Sequence, residues 1–420
     1  MCPSNARSAT TIAGLDIGTT KILAVIGEVT PTGIDVLGVG QSLSRGLRKG
    51  VVVNLDSTVE AIKRAVQEAE QAAGVEIESV FTGVAGGHIK GVNSRGAVAV
   101  QGRTREVSRA DVDRALEAAR AVTLPPGREI IHVLPQAFIL DGQDGIRTPL
   151  GMAGARLEVE VHIVTGAVTS VQNLVRSVNR AGLTVQDIVL QPLASAEAVL
   201  TPDERDLGVI LADVGGGTTD VALFRDGAIW HSAVIPLGGD HITNDLAVGL
   251  RTPSQEAEEL KKRWGSALTA LVLPDETVEV PSIGGRKPRV LSRQILAGII
   301  QARVEEIFTL AARELALAGL EDVATAGVVV TGGSAVMEGI PELAERVFDL
   351  PVRVGWPTGV GGMADLVAGP SYATGVGLVL HGARLRGQSP LGMAGGLDGG
   401  EGAGVTRLLR RMREWFSQLF

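Results

Sequence analysis

Asp16-Ile17-Gly18-Thr19-Thr20 and Asp213-Val214-Gly215-Gly216-Gly217-Thr218-Thr219-Asp220 carry one arrangement twice, almost 200 residues apart. Apolar runs flank each copy, residues 12–17 and 22–27 in the first, 207–214 and 219–224 in the second. A further turn then opens a third run: Pro31-Thr32-Gly33 leads to residues 35–40, and Asp226-Gly227 to residues 228–234. Short apolar runs bounded by glycine turns read as strands. The order strand, Asp-x-Gly turn, strand, turn, strand therefore occurs twice, which predicts an α/β protein of two duplicated lobes.

A single Asp-x-Gly turn is most simply a hairpin. Two related turns in two lobes can face one another and hold a polyphosphate from both sides. Glycine lets backbone N–H groups approach phosphate oxygens without a Cβ in the way, and threonine hydroxyls add donors. A third element points the same way. Residues 327–330 read as a strand, Thr331-Gly332-Gly333-Ser334 as a glycine turn, and Pro341 as the start of a helix, where its missing N–H does no harm.

Between these elements the chain is legible in outline. A helix is expected over residues 57–73, with Asp56 or Ser57 as N-cap, Gly74 as stop, and Val59, Ile62, Val66 and Ala69 on its apolar face. Residues 84–165 read as an inserted unit. In it Ser108 and Asp111 form a capping box for a helix through Val122, and strands cover 129–140 and 157–164, the latter alternating at Leu157, Val159, Val161 and Ile163. Residues 278–293 read as a strand and turn bearing Arg286, Lys287, Arg289 and Arg293. Residues 386–403 read as a glycine-rich flexible linker.

The bulk composition is globular: 45% apolar and 20% charged over 420 residues, long enough for two or more lobes. The single cysteine, Cys2, forms no internal disulfide. No secretory pattern and no run of about 18 apolar residues is visible, so a protein without a transmembrane span is expected. A net charge of −8 argues against nucleic acid as a partner. The last seventeen residues run against that sign, with Arg407, Arg410, Arg411 and Arg413 against one Glu414. Val405, Leu408, Leu409, Met412, Trp415, Phe416, Leu419 and Phe420 trace one helical face there, and the arginines the other. Such a helix is an interfacial anchor for anionic lipid; a helix docked on the protein's own core is the alternative. A linker of about 18 residues, spanning roughly 20–25 Å as a coil, favours the anchor. Gly14–Lys21 is no Walker loop, since its order is Gly-Thr-Thr-Lys. The six histidines have no metal spacing, and there is no Gly-x-Ser-x-Gly elbow.

The two turns and the Thr331–Ser334 element, in this order, resemble the phosphate-1, phosphate-2 and adenosine motifs of the actin, Hsp70 and sugar-kinase superfamily. Within it the chain resembles the FtsA family of bacterial division proteins over about residues 12–380. Ser44-Arg45-Gly46, His132-Val133-Leu134-Pro135-Gln136, Pro281-Ser282-Ile283-Gly284-Gly285-Arg286 and Val330-Thr331-Gly332-Gly333 carry the likeness. The resemblance implies actin-like, RNase H-type lobes: residues 1–83, 166–195 and 355–385 in the first, and 196–354 in the second, with a smaller subdomain at about 240–305. It implies ATP with Mg²⁺, the metal held through water by Asp16 and Asp213. Gly18, Thr19, Thr20 and Lys21 would meet the phosphates from one lobe, and Gly215, Gly216, Gly217, Thr218 and Thr219 from the other. Gly239, Glu258, Lys261, Gly332, Gly333 and Ser334 would lie on the adenosine side. Gln191, beside Pro192 at the crossover, would orient a water for slow hydrolysis, or the nucleotide would act as a clasp. The resemblance further implies an adaptor at the cytoplasmic face of the membrane at the septum. Its partners would be the C-terminal peptide of the tubulin-like FtsZ, other copies of itself in filaments, later division proteins, and lipid. The FtsZ peptide would dock on the smaller subdomain, where the Arg286–Arg293 segment lies. A small-molecule kinase or a pilus-associated actin-like ATPase is the alternative on the same fold.

Overall fold

The computed structural model describes residues 10–387, apart from 103, 285 and 321. The first lobe opens with β1 (Thr11–Ile17), β2 (Lys21–Thr30) and β3 (Gly33–Leu43), followed by the short pair β4 (Leu47–Arg48) and β5 (Val51–Val52), then α1 (Leu55–Ala73) and β6 (Ser79–Val84). All four expected apolar positions of α1 are buried, and Gly74 ends it in the left-handed region at φ 67°. Its N-cap is Asn54, whose side chain accepts from the Ser57 amide, two residues before the expected cap at Asp56.

The inserted unit consists of β7 (Lys90–Ala99), α2 (Arg109–Arg120), β8 (Arg128–Leu140), β9 (Gln143–Ile146) and β10 (Arg156–Ala167), in the sheet order β7-β10-β8-β9. The Ser108–Asp111 capping box forms, and Leu157, Val159, Val161 and Ile163 are fully buried as their alternation requires. Strand β7 had no sequence signal, because most of its residues are exposed and lack an apolar alternation. The chain returns through α3 (Val168–Arg180) and β11 (Thr184–Leu190), then crosses by α4 (Gln191–Val199) and α5 (Pro202–Leu207). Leu207, read as the start of a strand, ends this short helix. A second capping box, Thr201 with Glu204, and Pro202 in the first turn favour helix there.

The second lobe comprises β12 (Val209–Val214), β13 (Thr219–Arg225), β14 (Ala228–Ile235), α6 (Gly239–Leu250), α7 (Ser254–Trp264), the hairpin β15 (Thr277–Val280) and β16 (Arg289–Ser292), α8 (Arg293–Leu317), β17 (Val328–Thr331), α9 (Ile340–Phe348) and β18 (Val352–Val354). Strand β19 (Gly361–Gly362) and helix α10 (Ala373–Gly387) then rejoin the first lobe. The two main sheets, β11-β6-β1-β2-β3-β19 and β14-β13-β12-β17-β18, share one plan. In each, three consecutive strands pair antiparallel and two later ones add in parallel beside the first. This is the duplication expected from the two turns, and the architecture is the actin-like one that the resemblance implies.

Strands β1 and β12 are buried almost end to end, as central strands covered on both faces must be. In β12 the two faces serve different cores. Val209 and Leu211 join the large cluster shared with the first lobe, α4 and α10, whereas Ile210 joins the second lobe's own. Helix α10 runs through Gly387, two residues into the segment read as linker, and the Arg386 guanidinium donates to the Thr11 carbonyl at 2.6 Å. The rest of that segment and the helix expected over residues 404–420 lie outside the described residues. Among the described residues no helix is long and apolar enough to cross a membrane.

Candidate functional site

The two glycine turns close in the same way. The Gly18 amide donates to the Lys21 carbonyl at 3.0 Å, and the Gly215 amide to the Thr218 carbonyl at 3.0 Å. They then meet tip to tip across the gap between the lobes. A Cβ on Gly216 would stand 1.8 Å from Thr20 Oγ1, and one on Gly217 would stand 2.5 Å from Thr19 Oγ1. The second lobe's glycines thus leave the space that the first lobe's threonines fill. Thr20 Oγ1 donates to Asp240 at 3.3 Å, and Thr19 Oγ1 accepts the Gly50 amide at 3.0 Å, so both hydroxyls have local partners as well.

Behind the turns lies a cavity of about 750 Å³, lined from both lobes. Its walls include Asp16, Gly18, Thr19, Thr20, Lys21, Asp213, Gly215 to Thr218, Gly239, Glu258, Lys261, Gly332, Gly333, Ser334 and Gln191, all expected there. Thr219 is the exception. It is fully buried and donates to the Leu237 carbonyl at 2.9 Å, on the opposite side of β13 from the cavity. Side chains alternate along a strand, so Thr218 and Asp220 face the cavity and Thr219 cannot.

The floor is acidic. Burial raises the Asp16 pKa to about 7; Lys21 opposes this and Asp213 adds to it. Asp213 is likewise raised, chiefly by burial, against hydrogen bonds from Ser195 Oγ at 2.6 Å and Thr374 Oγ1 at 3.3 Å. Asp220 is raised further, by burial and then by Asp213; its Oδ2 accepts from Thr218 and its Oδ1 is buried with no partner. Lys21 Nζ sits 4.2 Å from the Tyr372 ring centroid, and burial lowers its pKa despite Asp16 and Asp213. Buried carboxylates with an orphaned oxygen suit a cation, which would relieve the desolvation cost of their charges. Mg²⁺ keeps several of its waters when bound, so a pair of carboxylates is enough to meet it through water; among the described residues no group of three or more His, Cys, Asp or Glu side chains could hold a metal ion directly.

On the far wall Lys261 reaches Glu258 at 2.6 Å, Thr243 Oγ1 at 2.8 Å and the Gly239 carbonyl at 3.0 Å. Burial opposes the charge on Glu258, but bonds from Lys261 and Thr243 outweigh it and hold the pKa below the ordinary value. Gln191 does not point at open space: its Nε2 donates to Asp16 Oδ1 at 2.9 Å.

The basic hairpin divides. Arg286 and Lys287 are exposed in its turn. Arg289 bonds the Leu250 carbonyl, and Arg293, the first residue of α8, pairs with Glu276 at 2.7 Å and Glu338 at 2.6 Å and lines the cavity rim. Arg293 is thereby an internal brace rather than a free surface charge. Asp220, Ser195, Thr374, Asp240 and Tyr372 were not singled out from sequence. Only Asp220 left a trace there, at the end of the string that contains Asp213.

A family model described as "Cell division protein FtsA" matches residues 210–377, and another, "SHS2 domain inserted in FTSA", matches residues 86–165. The chain is 50% identical over 413 residues to cell division protein FtsA of Pseudomonas aeruginosa, covering 98% of this chain and 99% of that one. It is 47% identical to that of Neisseria meningitidis, covering 97% and 98%. Among solved structures, a PilM-PilN type IV pilus biogenesis complex superposes with a TM-score of 0.63 at 17% identity, over 89% of this chain and 98% of that one. MreB 5 of Spiroplasma citri bound to AMPPNP superposes at 0.51 and 14%, over 87% and 94%. The last two share the fold, whereas the first two share the sequence from end to end: the chain belongs to the FtsA family of cell-division proteins.

Proposed function

We propose that this cell-division protein is an ATP-binding adaptor that tethers the FtsZ ring to the inner face of the cytoplasmic membrane, self-associates and recruits later division proteins. The observation that carries the ATP reading is the meeting of two glycine–threonine turns above a buried acidic floor. Thr19, Thr20 and Lys21 from one lobe, and Gly215 to Thr218 from the other, would hold the phosphates. Asp16 and Asp213 would hold Mg²⁺ through water, and the metal would offset the phosphate charge. Gly239, Glu258, Lys261, Gly332, Gly333 and Ser334 would flank the nucleoside. The fold relative MreB 5 of Spiroplasma citri, bound to AMPPNP, supports this reading.

The membrane role rests on the sequence pattern of the last seventeen residues, with Trp415, Phe416, Leu419 and Phe420 opposite the arginines. Each basic residue near an anionic leaflet contributes about 1 kcal/mol, so one such helix binds reversibly. Several joined in a filament gain avidity of about 10²–10⁴ with no new lipid contact. Arg286 and Lys287, exposed on the second lobe, are the basic groups best placed to meet a peptide of FtsZ. Sedimentation with anionic liposomes, with and without ATP, tests the adaptor: wild type should pellet, and Trp415→Glu and a deletion of residues 404–420 should not. Added FtsZ should co-pellet only with the anchored protein. Tail-independent pelleting would remove the anchor, and phosphorylation of a small metabolite without FtsZ capture would favour the kinase.

A further inference from the structure

Two of the three floor carboxylates, Asp16 and Asp213, are held from one helix. Gln191 and Ser195 lie four residues apart on α4, hence one turn apart on one face. The first donates to Asp16 Oδ1, in the first lobe, at 2.9 Å; the second donates to Asp213 Oδ2, in the second lobe, at 2.6 Å. That second distance is typical of a hydroxyl bonded to a carboxylate. Thr374, on α10, completes the grip: its Oγ1 lies 3.0 Å from Ser195 Oγ and 3.3 Å from the same oxygen of Asp213.

Helix α4 is itself fixed. Its first residue follows the last residue of β11 directly, which ties Gln191 to the first lobe's sheet. On its other side a Cβ at Gly377 of α10 would stand 1.7 Å from the Ala194 carbonyl, so α4 and α10 touch backbone to backbone. Neither can slide past the other without breaking that contact. The hydroxyls that hold Asp213 thus belong to α4 and α10 and not to the sheet that carries Asp213.

We propose that Gln191 and Ser195, with Thr374, are positioning residues that set the spacing of the Asp16 and Asp213 carboxylates, so that one turn of α4 prepares the cation site across both lobes. Gln191 acts on Asp16 and not on an attacking water. This rests on the reading of the cleft as a Mg·ATP site and gives it a mechanism: both carboxylates are referred to one rigid helix, so their spacing is set before a cation arrives. Asp16 and Asp213 would contact the hydrated metal; the α4 residues orient them.

The test is titration of the full-length protein with N-methylanthraniloyl-ATP at increasing Mg²⁺ and in EDTA, with thermal melts as a fold control. Ser195→Ala and Gln191→Ala should each raise the half-saturating Mg²⁺ about tenfold, the size expected for one lost bond to a charged group. Affinity in EDTA should move less than twofold. Thr374→Val should raise the Mg²⁺ midpoint, and Thr374→Ser, which keeps the hydroxyl, should restore it. Equal losses with and without Mg²⁺ would mark a merely structural role and overturn the proposal. So would a Gln191→Ala protein that loses ATP turnover with its Mg²⁺ midpoint unchanged, the signature of a water-orienting residue. A wild-type protein that binds the nucleotide with no Mg²⁺ dependence would remove the cation reading, and this proposal with it. That outcome is distinct from a dependence that the variants fail to shift.

Discussion

The turn after β1 and the turn after β12 are copies of one backbone that carry different side chains. The first presents Thr19, Thr20 and Lys21 behind a single glycine, and the second presents Gly215, Gly216 and Gly217. Threonine stands opposite glycine at both tips, so the copies have diverged into a fitted pair, one supplying bulk and hydroxyls, the other the space for them. Their carboxylates differ too. Asp213 is held by two hydroxyls, whereas Asp16 has one amide donor and a pKa raised to about 7. A duplication need not stay symmetric to make a clamp; what it supplies is two identical frames on which complementary residues can settle.

The largest expected effect concerns Asp16. Its pKa rises from 3.8 to about 7 on folding, so between those values the folded protein keeps a proton that the unfolded chain has lost. Stability from this group is therefore full below about pH 4, falls as pH rises to about 7, and is level above; the shift corresponds to on the order of 4 kcal/mol. Melts of the nucleotide-free protein should show that fall, and Asp16→Asn should flatten it more than Asp213→Asn does. Equal flattening by the two would break the contrast drawn between the lobes.

Next in size is the fit of the tips. Gly216→Ala drives a Cβ into Thr20, and overpacking of this kind should weaken ATP binding about 10- to 100-fold. Moving the glycine across, Gly216→Ala with Thr20→Gly, relieves that clash and should recover the melting temperature lost by the single variant, while the ATP affinity that the Thr20 hydroxyl supports stays low. A double variant no better than the single would show that steric fit is not why the second lobe carries glycine. A smaller change is expected on the far wall, which has no counterpart in the first lobe. Lys261→Met removes bonds to Glu258, Thr243 and the Gly239 carbonyl, and should weaken ATP about fivefold, read by calorimetry. The smallest lies outside both lobes: Ser108→Ala, which breaks the cap of α2, should cost about 1 kcal/mol in the melt and leave ATP affinity within twofold.

What could be read in advance follows from the range of each interaction. The Asp-x-Gly turns, the Ser108–Asp111 box and the buried alternation of β10 are set by neighbours a few residues away, and each was legible. Asn54 is hidden as a cap because Asp56 and Ser57 offer equally good side chains two and three residues later. The hairpin arginines were read as one basic patch because their partners, Glu338 and the Leu250 carbonyl, are about 40 residues distant. The same reason hid Ser195 and Thr374, whose bonds to Asp213 span 18 and 161 residues.

The sequence alone determined that two related strand–turn–strand units exist, that glycines, hydroxyls and an acid stand at each turn, and that arginines and large apolar residues crowd positions 404–420. These are local patterns, written by backbone geometry and by the periods of strand and helix. Only the tertiary structure decided that the turns meet with threonine against glycine, that Thr219 faces away while Asp220 faces in, and that one turn of α4 holds a carboxylate from each lobe. Those facts depend on the angle at which two sheets pack against a shared pair of helices, which side chains far apart along the chain set together.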